Sequence, residues 1–196
     1  MLIEETSVPD AALPVEAFKA HMRMGSGFGT QDVQHEVLRG FLRAAMAAIE
    51  ARTGKALMRR TFRWTLAGWS DATAQSIPVA PVGEIAQLAL ISRTGMATVV
   101  DPAVYWLERD GHSPRIRPTG TALPGPEKGG ELRVQLVAGF ASDWAGLPGD
   151  LQQAVLMLAA HFYEYRHDTA LSDGCMPFGV TSLIERFRMM RLGAKP

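Results

Sequence analysis

Apolar residues recur along this chain at two different spacings, and the changes of period divide it into three stretches. The first stretch has helical spacing. Pro14 can open a short helix in which Val15, Phe18 and Met22 share a face. The glycines of GSGFGT (25–30) break it, and Thr30 is a reasonable N-cap for a longer helix over roughly 31–52, with Asp32 in its first turn. Val33, Val37, Phe41, Ala44, Ala45, Ala48 and Ile49 supply the apolar face, and Gly54 the stop. Gly40 lies mid-helix, where a small residue permits close approach of a neighbour.

From about residue 57 the period falls from 3.6 to 2. Phe62, Trp64 and Leu66 alternate with Arg63 and Thr65, the signature of a half-buried strand. Further short strands are expected near Ile77–Val79, Ile85–Ser92, Val104–Leu107, Arg115–Arg117 and Glu131–Val137, separated by turn-rich pieces. The helical period then returns. Pro148 stands where a missing N–H costs nothing, and Asp150 places negative charge at the positive end of the helix dipole. Leu151, Ala154, Val155, Leu158, Phe162 and Tyr165 form its stripe, and a final short helix buries Val180, Leu183, Ile184 and Phe187.

The order helix, sheet, helix predicts an α+β fold: mainly a helical bundle, N- and C-terminal helices packed together, with a small antiparallel β region inserted in the middle. The chain reads as one domain over 1–196, with N-terminal helices at 14–54, a β-rich insertion at 57–138 and C-terminal helices at 148–192.

Charge narrows the function. Lys plus Arg and Asp plus Glu both number 20, so the formal charge is zero. Tight nucleic-acid binders draw affinity from phosphate neutralisation and show a basic excess, which disfavours a DNA-gripping protein. The single Cys175 excludes an internal disulfide and a cysteine-based zinc site, and fits a reducing compartment. MLIEETSVPD has neither the basic nor the apolar region of a secretory signal, and no apolar run spans a bilayer, so a soluble intracellular protein is expected.

The motifs that invite chemistry are weak. GSGFG lacks the Gly-Lys-Ser/Thr ending of a phosphate loop and joins two helices rather than following a strand. His161 and Glu164, with His167 and Asp168 beyond, are the best candidates for a metal or acid/base site, but HFYEYRH is not H-E-x-x-H and no further motif supplies a ligand. Cys175 has no evident base to activate it. No catalytic, cofactor or metal residue is assigned. Phe187, Arg188, Met189, Met190, Arg191 and Leu192 close the last helix with alternating apolar and basic character. They are either a frayed end with snorkelling arginines or a partner contact, since Met and Arg are enriched at protein interfaces.

Several segments together carry a resemblance. Lys19, His21, Met22 and Arg23 close the first helix; Ile-Glu-Ala-Arg-Thr-Gly-Lys-Ala-Leu (49–57) leads into Thr-Phe-Arg-Trp (61–64). Ile-Pro-Val-Ala-Pro-Val (77–82), Asp-Pro-Ala-Val-Tyr (101–105) and Val-Ala-Gly-Phe (137–140) follow. The most specific part is the ending: Leu-Pro-x-Asp-Leu-x-Gln-Ala (147–154), Ala-His-Phe-Tyr-Glu-Tyr-Arg (160–166), Pro-Phe-Gly-Val, and Leu-Ile-x-x-Phe-Arg (183–188). In this order they resemble the head–tail connector, or adaptor, proteins of tailed bacteriophages and phage-like gene transfer agents. The 108–130 loop and the residues after Arg188 are longer than the usual pattern.

The resemblance implies a non-enzymatic subunit that forms a ring of about twelve copies below a portal protein. The ring would extend the DNA channel, join the capsid to the next neck, stopper or tail component, and let double-stranded DNA slide through without sequence-specific contact. No membrane and no cofactor are implied, and the protein would reside in the particle neck after assembly in the bacterial cytoplasm. Connectors commonly send the C-terminal segment into the portal, which assigns Phe187–Leu192 to that contact. A ring interface would also cover tryptophans such as Trp69, Trp106 or Trp144. The rival from another class is a small enzyme built around His161, Glu164 and Asp168; a third reading is a nucleic-acid-binding module.

Overall fold

The computed structural model describes residues 1–24, 32–166 and 176–188. The chain divides into two compact units: Met1–Ser7 with Met58–Phe140, and Val8–Leu57 with Ala141–Pro196.

The second unit is helical. Its elements are α1 (Val15–His21), α2 (Asp32–Thr53), α3 (Gly149–Glu164) and α4 (Phe178–Ile184), the last continued by a 3-10 turn, Glu185–Phe187. Its core joins Phe18, Leu38, Leu42, Ala45, Ile49, Leu151, Ala154, Val155, Leu158, Val180 and Ile184, all nearly or wholly excluded from water. Pro14 does precede α1, and Arg23, at φ 53°, turns the backbone left-handed just past its end. The segment before α1 is tied to α2 by Arg43, whose Nη2 donates to the Val8 carbonyl at 2.8 Å and to Asp10 Oδ1 at 2.5 Å.

The run from Ile49 to Leu57 is a helix-ending device. Gly54, at φ 69°, donates its N–H to the Glu50 carbonyl at 2.8 Å. Thr53 Oγ1 donates to the Ile49 carbonyl at 2.8 Å and accepts from Lys55 N–H at 3.2 Å. The Glu50 carboxylate then accepts the Leu57 N–H at 2.7 Å. Backbone groups orphaned at the helix end are thus satisfied by neighbouring side chains.

The apolar face of α2 is not the one its pattern predicts. Leu38, Leu42, Ala45, Met46 and Ile49 are buried, whereas Val37 is 46% exposed and Ala44 is also exposed. The two stripes differ by one residue, about 100° around the helix. Four alanines between 44 and 48 fit either, and burial follows the larger Leu and Met side chains. On α3 the predicted face holds through Leu158, but Phe162 is half-buried and Tyr165 is 49% exposed. Close approach occurs at Gly179 rather than Gly40. A Cβ on Gly179 would lie 2.8 Å from Met157 Cε, while Gly40 faces open space.

The first unit is built of strands. A five-stranded antiparallel sheet runs β1-β2-β8-β4-β5 and a three-stranded one β3-β7-β6. The strands are β1 (Leu2–Glu4), β2 (Arg60–Leu66), β3 (Gln75–Ser76), β4 (Val82–Ile91), β5 (Ala97–Val99), β6 (Tyr105–Glu108), β7 (Arg115–Pro118) and β8 (Glu131–Ala138). Alternation sets the faces. Phe62 and Trp64 of β2 and Leu132, Val134, Leu136 and Ala138 of β8 point into a core shared with Leu88 of β4. Trp69 Nε1 donates to the Pro124 carbonyl at 2.9 Å, anchoring the long loop before β8.

The expectation of a mainly helical bundle carrying a small β region is therefore overturned. The protein is α+β, but its eight described strands form two sheets with their own core. The pattern undercounted them because β1 and β5 have three residues each, too few to show a period, and β1 lies at the start of the chain, away from the other strands in sequence. The strand expected at Ile77–Val79 is instead Gln75–Ser76, with Ile77 donating its N–H to the Pro114 carbonyl.

Two stability measurements test this packing. Gly139, at φ 135°, has no room for a Cβ, which would meet the backbone of Met58 and Arg59 at 2.5 Å. Gly139→Ala is expected to cost at least about 1–3 kcal/mol from its φ alone, lowering the denaturant midpoint; an unchanged midpoint would refute the close approach. Leu158, 1% exposed, should lose about 2–5 kcal/mol on replacement by Ala, and half-buried Phe162 less. The reverse order in urea unfolding would place the wrong face of α3 inward.

Candidate partner interface

The helical unit ends in a small platform. Val180, Ile184 and Phe187 point inward from α4 and its 3-10 continuation, and Phe187 is only 8% exposed. Arg186 lies over the Phe187 ring, 4.7 Å from its centroid, and its Nε bonds Asp150 Oδ2 at 2.6 Å, tying the turn to the start of α3. Arg188, half-buried, pairs with Glu185 at 3.1 Å. Phe187 thus belongs to the core of the unit and Arg188 to its surface. Met189, Met190, Arg191 and Leu192 lie outside the described residues. At the opposite end of α4, Phe178 is 86% exposed.

His161 faces aromatic neighbours, its ring centroid 4.8 Å from that of Tyr165 and 6.3 Å from that of Phe162. Nearby, Tyr163 packs edge-on against Phe41 at 5.6 Å and lies beneath the Arg166 guanidinium at 4.6 Å. Glu164 is exposed, while His167, Asp168 and Cys175 lie outside the described residues, as do the GSGFG run and the Thr30 cap. Among the described residues no three His, Cys, Asp or Glu side chains gather as metal ligands do, and no helix is long and apolar enough to cross a membrane.

The sheet unit presents a second surface. Nine large apolar side chains are exposed among the described residues, and four of them, Met96, Val99, Val104 and Trp106, fall within eleven consecutive positions. That clustering distinguishes the segment from singly scattered surface apolar groups, which need no explanation. Val99 lies on β5, an edge strand of the larger sheet, and Trp106 on β6, an edge strand of the smaller. Trp106 is 48% exposed and lies directly across from Arg117, whose Nε donates to Glu108 Oε2 at 2.7 Å. That bond holds the Glu108 carboxyl below the usual range, and Glu108 in turn raises the Arg117 pKa. On the opposite face Tyr105 and Ile116 are buried, and burial pushes the Tyr105 hydroxyl up.

The other tryptophans differ. Trp64 is buried, and Trp69 and Trp144 are half-buried. A shallow groove of about 640 Å³ at one end of the larger sheet, lined in part by Leu66, Ile91, Arg93, Glu131 and Arg133, contains the Arg133–Glu131 pair at 3.3 Å. Of these features, the exposed Met96–Val99 edge was missed by sequence reasoning. Its only signal was an apolar run, Met-Ala-Thr-Val-Val, after an Arg-Thr-Gly turn.

No family model matches the chain, and no curated protein matches it. Solved structures do. A chain in the neck of an empty gene transfer agent particle computed with C6 symmetry is 45% identical, with a TM-score of 0.90, over 100% of this chain and 98% of that one. A chain of the virion of a native gene transfer agent particle is 45% identical at a TM-score of 0.88 with the same coverage. A third, from the neck of a native particle computed with C12 symmetry, is 42% identical at 0.84, again covering 100% and 98%.

The Glu108–Arg117 pair gives a titration test. A carboxyl whose folded pKa is depressed contributes stability above its unfolded value, and loses it as pH falls through the lower folded value. The usual value being 4.5, that loss falls below pH 4.5. Carboxylate NMR should show Glu108 titrating below the usual range, and Arg117→Gln should bring it back up. No change in the variant would show that Arg117 does not set the shift.

Proposed function

Since the chain belongs to the family of gene transfer agent neck proteins, we propose that it is a head–tail connector subunit, one copy in a ring of about twelve below the portal. The observation that carries this reading is the likeness at 42–45% identity over the whole chain to proteins of particle necks. The C6 and C12 symmetries of two of those structures support a cyclic ring. In this reading the ring prolongs the channel, joins the capsid to the next neck or tail component, and assembles in the bacterial cytoplasm.

The chemistry of the chain agrees with a conduit. A formal charge of zero leaves little sequence-independent grip on phosphate, so DNA slides through rather than being held. The role is structural. The rival enzyme built on His161, Glu164 and Asp168 has less to support it, because His161 is engaged in aromatic contacts.

The portal contact is assigned to Phe187, Arg188, Met189, Met190, Arg191 and Leu192. Phe187 and Arg188 root that segment on the helical unit, through the core and through Glu185 respectively. Met189, Met190, Arg191 and Leu192 carry the apolar and basic side chains typical of a docking anchor.

Deleting residues 189–196 should leave helical content and thermal stability nearly unchanged while abolishing portal binding in a pull-down with purified portal. Arg188→Glu with Arg191→Glu should weaken the same binding by reversing charge at the anchor. Undiminished portal affinity in the truncated chain would move the contact to α2 or to a loop of the sheet unit.

A further inference from the structure

The larger sheet has two open edges, and they differ. Among the described residues no strand pairs with the outer side of β1 or of β5. Hydrogen bonds fix which groups face outward. Thr65 N–H donates to the Met1 carbonyl at 2.8 Å and Glu5 N–H to the Thr61 carbonyl at 2.9 Å, so the alternation of an antiparallel ladder turns the backbone groups of Leu2 and Glu4 away from β2. Likewise Val100 N–H donates to the Leu88 carbonyl and Ser92 N–H to the Met96 carbonyl, both at 2.8 Å, which turns those of Ala97 and Val99 away from β4.

The side chains at the two edges share one face. Following directly opposed residues across the sheet, Val99 aligns with Ala89, Arg133 and Thr65, and Ile3 with Arg63, Gln135 and Gln87. That face is polar in its middle, at Arg63, Thr65, Arg133, Gln135 and Gln87, and apolar at both rims. Val99 is 58% and Ile3 37% exposed, with Met1 at 78% on the same face. Neither edge is blunted by Lys or Pro, the usual protections of an exposed strand.

A cyclic ring needs a heterologous contact, two different patches that meet when one copy is rotated onto the next. Two dissimilar edges at opposite ends of one sheet meet that need, and this inference rests on the ring reading above. We propose that neighbouring copies join by β-augmentation, β5 of one copy adding to β1 of the next. Every neighbouring pair in the five-strand order is antiparallel, so β1 and β5 run in the same direction. Head-to-tail continuation of an odd number of alternating strands makes the seam parallel. In a parallel pair, Val99 N–H donates to the Leu2 carbonyl of the next copy, and Glu4 N–H of that copy donates to the Val99 carbonyl. Val99 then stands opposite Ile3 of the next copy, and both lie on the same face, which closes the two apolar rims on each other.

The test uses full-length chain assembled with portal, with Cys175, the single cysteine, replaced by Ser. Strands about 4.8 Å apart lie within disulfide reach. Oxidising the double variant Ile3→Cys, Val99→Cys is expected to give a ladder of covalent multimers, while neither single variant crosslinks. Dimers from Val99→Cys alone would mean β5 pairs with β5 of another copy, and would overturn the proposal. Val99→Pro, which removes the N–H that meets the Leu2 carbonyl but leaves the bonds to β4, should weaken self-association at least about tenfold with unchanged monomer melting. Rings that form normally in Val99→Pro, with no ladder in the double variant, would refute the seam and leave the ring standing. Absence of rings from the unsubstituted chain would refute both.

Discussion

The strand Glu131–Ala138 carries the constraint on which the sheet unit depends. It is paired along both edges, by β2 and β4, and Leu132, Val134, Leu136 and Ala138 are fully buried on one side of it. A slip of one residue would carry all four to the water-facing side and bring Arg133 and Gln135 into the core, so burial locks the register. With β8 fixed, β2 and β4 are fixed, and the outer strands follow. Gly139 secures the end of β8 by letting the chain pass against Met58 and Arg59 where no side chain fits.

That register decides what the sheet shows to its surroundings. The same alternation that buries one face places Arg63, Gln135 and Arg133 on the other and leaves Ile3 and Val99 at its rims. A surface of this kind, polar in the middle with exposed apolar edges, suits a subunit with neighbours on both sides. The helical unit contributes a different surface. Phe187 is held in its core. In the proposed connector role a subunit holds its own copies and a separate partner at once, and two compact units with distinct surfaces suit that role.

Much of this was legible in the sequence, and the exceptions have physical causes. The alternation of Phe62 and Trp64 with Arg63 and Thr65 marked β2, because one face of that strand is core and the other is wet. Gly54 was legible as a helix stop because few residues other than glycine adopt φ 69°. The phase of α2 was not legible, since alanines at 44, 45, 47 and 48 fit either of two stripes and only packing chooses Leu38 and Leu42. Strands of three residues carry no period, so β1 and β5 were missed, and with them the size of the sheet. For the proposed portal contact, apolar and basic composition pointed to the segment from Phe187 to Leu192, of which Phe187 and Arg188 are described. The exposed edge at Met96 and Val99 became evident only from pairing and exposure.

The central claim is that this chain is a ring-forming connector of a particle neck. Imaging the full-length chain mixed with its portal by negative-stain microscopy tests it most directly. The account predicts class averages of a ring of about twelve copies coaxial with the portal, absent from portal alone. A compact dimer, unchanged by portal and never seated on it, would contradict the account.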